Sequence, residues 1–325
     1  MKQRLKHCGG ISLLIYCLGN FVAGTTSFVI PATISLQHPI QMVPTSTSVT
    51  PSHPPLVDIG INLTHASLKK HWREVVQRAL DQNVNTILLT GTSVKVSREC
   101  LEMARTWHEE TRKKNLFVTV GVHPHDAKHF QDETDGTIDQ LRDLLQDEFA
   151  VSVGECGLDF NRNFSSRDQQ IHAFREQVKL ACELQPPLFL HEREAHNDLI
   201  KVLDEVEADN AVPPLPPIVV HCFTGTKEEA LEYIRRGYFL GFTGTICKKE
   251  RGAPLRDILL ELPIEQLMVE TDAPWMGFKK GQRFSEPAHV VDVARQLGDT
   301  MEVPHEQVCQ ITTETALRFF RIPEA

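Results

Sequence analysis

Four residues able to bind a metal stand at the ends of four separate apolar runs. They are Glu155 after "VSVG", His191 after "LFL", His221 after "IVV", and Asp272 in "MVETDAP", where Glu270 also lies. A lone histidine after an apolar strand is more often a hydrogen-bonded structural residue, so the argument rests on the joint pattern. Two imidazoles and two carboxylates make a donor set for a divalent cation: Zn2+, Mn2+ or, with more water, Mg2+. Such a cation lowers the pKa of bound water and polarises a phosphoryl or carbonyl oxygen, and a nearby carboxylate can accept the water's proton. Asp272 is expected to orient that water while touching the metal, and Glu155 to bridge or ligate. His123 in "GVHPHD" and Arg193 in "LFLHERE" are placed to hold an anionic substrate oxygen, because the planar fork of arginine matches phosphate. His125 and His129 are expected to be solvated loop residues, and Asp159 a supporting or loop-fixing one.

Convergence of these groups requires a fold that brings strand ends together. After Pro55 the sequence alternates strand-like runs with amphipathic stretches. The runs are Leu56–Leu63, Val84–Thr90, Leu116–Gly121, Ala150–Glu155, Leu188–His191, Ile218–His221, Tyr238–Phe242 and Leu267–Thr271. Helices are expected between them, opened by Ser67, by Thr226 with Glu229 three residues on, and by Pro254 and Pro287 in first turns. Eight strand–helix units predict an α/β fold, a (β/α)8 TIM-like barrel with its chemistry at the C-terminal ends of the strands. A doubly wound open sheet is the alternative, but the first strand-to-helix junction, "DIGINLTHAS", lacks a glycine-rich phosphate fingerprint.

Bulk properties narrow the function further. With 34 Lys+Arg against 43 Asp+Glu, the net charge of -9 argues against a general electrostatic grip on nucleic acid. A local, metal-assisted phosphate site remains compatible, because a bound cation dominates the charge around it. Lys248, Lys249, Arg251, Lys279, Lys280 and Arg283 are the candidate basic contacts after the last two strands. The eight cysteines form no C-x-x-C pair, which leaves no zinc-knuckle or thioredoxin-like motif. Asp58 is the first acidic residue. Residues 1–55, with a basic start, a short apolar stretch and a Ser/Thr/Pro-rich sequel, read as a leader separate from the domain at 56–325. Its address would be the secretory pathway or an organelle (mitochondrion or plastid), with the cytoplasm the location if the leader is not functional. No stable membrane association of the domain is expected.

The segments "DIGINL", "GVHPHD", "GECGLDFNRNF", "FLHERE", "HCFTGT" and "VETDAP", in this order, resemble the TatD family of metal-dependent deoxyribonucleases, within the amidohydrolase-like metallohydrolases. The resemblance runs from about Leu56 to Ile322. It implies a TIM-like barrel, one or two divalent ions and exonucleolytic hydrolysis of phosphodiester bonds in DNA, with RNA as a further substrate. The family's ligand positions fall on Glu155, His191, His221 and Asp272. Many members carry an H-x-H pair on the first strand, where this chain has Asp58 and Asn62 in "DIGIN". A labile Mg2+ site supported through water by Asp58 or Asn62 is therefore expected. Glu192 stands where relatives often have Cys, and strand alternation turns it away from the rim. Two other readings use the same scaffold: hydrolysis of a small cyclic amide or lactone, and an inactive barrel that binds a partner. The first goes with an H-x-H pair and a strand-four Lys, and the second with loss of the Glu/His/His/Asp set. Neither feature occurs here.

Overall fold

The computed structural model describes residues 53–132 and 136–324, so the predicted leader lies outside the described residues, apart from His53, Pro54 and Pro55. The chain runs β1 (Leu56–Ile61), α1 (Ala66–Lys69), α2 (Trp72–Asp81), β2 (Val84–Thr90), α3 (Val94–Thr111), β3 (Leu116–Val120) and α4 (Thr137–Leu144). It continues with β4 (Ala150–Asp159), α5 (Arg167–Leu184), β5 (Leu188–Arg193), α6 (His196–Glu207), β6 (Ile218–Val220), α7 (Lys227–Arg235) and β7 (Phe239–Phe242). Then come α8 (Ala253–Leu259), β8 (Leu267–Val269), α9 (Val290–Met301) and α10 (His305–Phe320). The eight strands are parallel and pair in sequence order from β1 to β8. The last meets the first through an Ile61–Ala273 bridge, with Asn62 N donating to Ala273 O (2.6 Å) and Asp272 N to Gly60 O (2.9 Å). This near-closed seam makes a (β/α)8 barrel and rules out the open doubly wound sheet.

Strands covered on both faces read as continuous apolar runs, and two cores result. The larger packs helices against the outer strand faces. The smaller gathers Val57, Leu88, Phe117, Phe189, Val219 and Met268 with Ala316, Phe319 and Phe320 of α10. Side chains from six strands can meet only inside the barrel, so α10 stoppers the lumen at the N-terminal ends of the strands. Among the described residues no helix is long and apolar enough to cross a membrane.

Several helix starts follow the sequence. Thr226 and Glu229 form a reciprocal capping box at α7, as do Ser166 and Gln169 at α5. Two expectations are corrected. The stretch beginning at Leu68 is two helices, and the first is capped by His65 rather than Ser67. The fourth strand runs on through Glu155 to Asp159, because Cys156 to Asp159 pair with Leu190 to Arg193 of β5.

Candidate metal and catalytic centre

Strand periodicity positions most of the site. In β5, Phe189 points into the lumen, so His191 two residues on lies above it on the same face, followed by Arg193. The same step takes Val219 to His221 and Met268 to Glu270. Phe189 stacks under the His221 ring (4.4 Å, 28° between planes) and forms an apolar floor for the site.

Glu155 obeys a different rule. Val153, Cys156 and Leu158 all pack outward in the larger core, and simple alternation from Val153 would turn Glu155 outward too. Between Val153 and Cys156 the register with β5 slips, as in a β-bulge, and Glu155 turns to the interior. The bulge needs backbone close to backbone. A Cβ on Gly154 would collide with the Phe189 carbonyl, and one on Gly157 with the His191 carbonyl. Gly157 therefore serves close approach to β5 within a continuing strand.

Three imidazoles converge on one Glu155 oxygen. Oε1 lies 2.8 Å from His221 Nε2, 2.9 Å from His191 Nδ1 and 3.2 Å from His123 Nε2. Burial opposes ionisation of Glu155, but the charge of His221 and the hydrogen bonds from His123 and His191 outweigh it and hold its carboxyl well below the usual range. Burial likewise opposes the charged form of His221, yet Glu155 and Glu270 raise its pKa well above normal. Burial pushes His123 down to about 4, so it is neutral at pH 7.

Glu270 is the clamp. Its Oε2 lies 3.2 Å from His221 Nδ1, and its Oε1 accepts from Cys222 N (2.5 Å). Cys222 and Asp272 both adopt positive φ, at 47° and 46°, a conformation that costs energy and gathers at functional sites. Asp272 is half-buried, and burial with the nearby Glu155 and Glu270 charges raises its pKa to about 7, against the pull of His221 and His191. Asn62 Nδ2 donates to Asp272 Oδ1 at 2.9 Å.

His125 is not a solvated loop residue. Its Nε2 lies 2.7 Å from Asp159 Oδ2, and its ring sits edge-on to His123 (4.3 Å). Asp159 fills both roles expected of it: Oδ1 accepts from Asn161 N and Arg162 N, while Oδ2 faces His125. His129 pairs with Asp126 at the surface. Glu192 is turned from the rim, where its Oε1 accepts from Ala195 N (2.7 Å). Arg193 ends β5 on the face of His191. Asp58 departs from expectation. Thr271 N and Oγ1 donate to its two carboxylate oxygens (2.9 and 2.6 Å), so it straps β1 to the end of β8 rather than supporting a metal through water. Of these two residues, Asn62, just past the end of β1, is the one that hydrogen-bonds Asp272. Lys279 is engaged by Asp292 (2.6 Å).

The donors fit a divalent cation. Ligand atoms of His123, Glu155 and His191 lie within 4.8 Å of one another. His191 Nε2 is buried with no hydrogen-bond partner, 3.6 Å from Asp159 Oδ2, an unsatisfied nitrogen that a cation would satisfy. Glu270 and His125 had a sequence signal: Glu270 lies two residues beyond Met268, and His125 two beyond His123.

The fold and site define a barrel metallohydrolase. The TatD-related DNase family model matches residues 57–321, and the chain belongs to that family, whose members are metal-dependent hydrolases of phosphodiester bonds. It is 38% identical over 272 residues to the 3'-5' ssDNA/RNA exonuclease TatD of Citrobacter rodentium, covering 82% of this chain and 98% of the relative. The exonuclease of the same name from Escherichia coli K12 is 38% identical over 247 residues, covering 74% and 90%. Among solved structures, a TatD family hydrolase from Entamoeba histolytica superposes with a TM-score of 0.73 at 25% identity, covering 82% of this chain and 98% of that one. A TatD homologue from Escherichia coli K12 gives 0.71 at 27% identity, with the same coverage.

Proposed function

We propose that the chain is a divalent-metal-dependent 3'-5' exonuclease of single-stranded DNA and RNA, in which Glu155, His191, His221 and Asp272 hold the cation and His123 stands close enough to join them. The observation that carries this reading is the convergence of three imidazoles on Glu155 beside the unsatisfied His191 Nε2. Mg2+ is the ion implied by resemblance, but so many imidazoles suit Mn2+ or Zn2+ better. When bound, the cation supplies Lewis acidity toward a phosphoryl oxygen and toward the attacking water. Asp272, just past the end of β8 and beside the donors, accepts the water's proton. Asn62 fixes one Asp272 oxygen and so orients the carboxylate. Arg193 and His123 hold the phosphate.

The rim also accounts for a preference for single strands. Phe164 and Trp275 are two of the three large apolar side chains exposed among the described residues. Each is met edge-on by a rim histidine, Phe164 by His125 and Trp275 by His65, both at 4.7 Å. An exposed ring offers a stacking surface to an unpaired base, worth about 1–3 kcal/mol.

The test incubates the full chain with 3'-labelled single-stranded DNA, RNA and blunt duplex, supplying Mg2+, Mn2+ or Zn2+ with and without chelator. Metal-dependent release of 3' nucleotides from single strands is expected, and Trp275→Ala should raise KM about tenfold. No release from any substrate with any of these ions would overturn the proposal.

A further inference from the structure

A second group of metal-binding side chains lies away from the rim. His53 stands just before the N-terminal end of β1, His305 opens α10, and Cys309 follows one helical turn later. One ligand atom from each falls within 4.8 Å of the others. The spacing of His305 and Cys309, i and i+4, puts both on one helix face. His305 Nε2 lies 3.6 Å from Cys309 Sγ. Metal–nitrogen and metal–sulfur bonds of about 2.05 and 2.3 Å at a tetrahedral angle span about 3.6 Å, so the gap is one edge of a zinc tetrahedron. The two histidine rings are 5.4 Å apart, edge to face.

His53 is already oriented for ligation. Its Nδ1 lies 2.7 Å from Pro54 O, so Nδ1 carries the proton and Nε2 presents a lone pair. A ring N–H given to a backbone carbonyl is the usual support for a metal-bound imidazole. The segment is held independently of any ion: Asn83 Nδ2 donates to His53 O and Thr313 Oγ1 to Pro55 O, both at 2.8 Å.

We propose that His53, His305 and Cys309 form a second, structural site for a thiolate-accepting cation of the Zn2+ class, which pins the segment entering β1 onto the last helix. The donor set is softer than that of the rim, which keeps the two sites chemically distinct. Burial pushes the Cys309 thiol up to about 12, while Arg295 favours the thiolate, so cation binding displaces a proton from sulfur. A water completes the coordination. This site is independent of the nuclease reading.

Co2+ is the probe, added to the metal-stripped full chain. The near-ultraviolet thiolate-to-cobalt charge-transfer band should appear as one equivalent binds and should be displaced by Zn2+. Cys309→Ser should abolish the band. His305→Ala, at a half-buried position, should weaken that equivalent at least tenfold. Cys222→Ser should leave the band intact, because Cys222 belongs to the rim. Absence of the band in the wild-type protein, its persistence in Cys309→Ser or its loss in Cys222→Ser would overturn the proposal.

Discussion

The two ends of the barrel are built from the same strands but hold opposite environments. At the N-terminal end Val57, Phe117, Phe189, Val219 and Met268, each the second residue of its strand, pack with Phe319 and Phe320 into a dry plug. Two residues further on, the same faces of β5, β6 and β8 present His191, His221 and Glu270. A parallel strand therefore carries both parts in one reading frame, an apolar floor and then the polar groups of the rim. The plug is held by area burial, which is non-directional and tolerates repacking. The rim is held by buried charges, each of which must keep its partner. Substitutions at the plug should therefore cost stability with little effect on turnover, whereas those at the rim should cost activity beyond any stability lost with an unpaired charge.

The largest contrast sets Glu155→Gln against Phe320→Ala. The amide cannot balance three imidazoles, so turnover should fall about 10³-fold, several kcal/mol of lost catalysis, with the fold retained. Phe320→Ala should destabilise the protein by roughly 3–5 kcal/mol while kcat per folded molecule stays within about twofold. Denaturant melts and active-fraction kinetics on both variants check this. Loss of activity without loss of stability in Phe320→Ala would break the division between the ends.

A smaller effect is expected at Glu270, which touches His221 but acts through it. Glu270→Gln should lower metal affinity or activity about 10–100-fold, and restoring a carboxylate as Glu270→Asp should recover part of it. Equal losses in both variants would assign Glu270 to packing alone.

The smallest effect is on pH. The folded pKa of Asp272 is raised from 3.8 to about 7, so the folded state binds this proton more tightly than the unfolded chain. Asp272's own contribution to the stability of the metal-free protein should fall as pH rises from about 4 to about 7 and level off above. Asp272→Asn removes that loss, so the metal-free variant should be the more stable protein at pH 8 by a few kcal/mol at most and should show no advantage near pH 4. Thermal melts at both pH values read the difference, and a constant difference would remove the buried charge as its cause.

Much of this was legible in the sequence because strands repeat every two residues. The apolar runs located all eight strands, and His191, His221 and Asp272 stood out as side chains of metal-binding type at strand ends. The extension of β4 to Asp159 was not legible, because pairing with β5 carries that strand past its apolar run. His125 looked solvated because its partner, Asp159, comes from another strand. Asp58 looked like a metal accessory, but Thr271, far along the chain, takes its carboxylate.

The sequence by itself determined the alternation of elements, the class of barrel and the chemical types of the donors, because periodicity and composition are local. Only the tertiary structure decided which way Glu155 faces. Local alternation would turn it outward with Val153, and the slip in register between β4 and β5 turns it in. Which side of a strand a residue occupies beyond a bulge depends on the partner strand, and the partner is supplied by the fold.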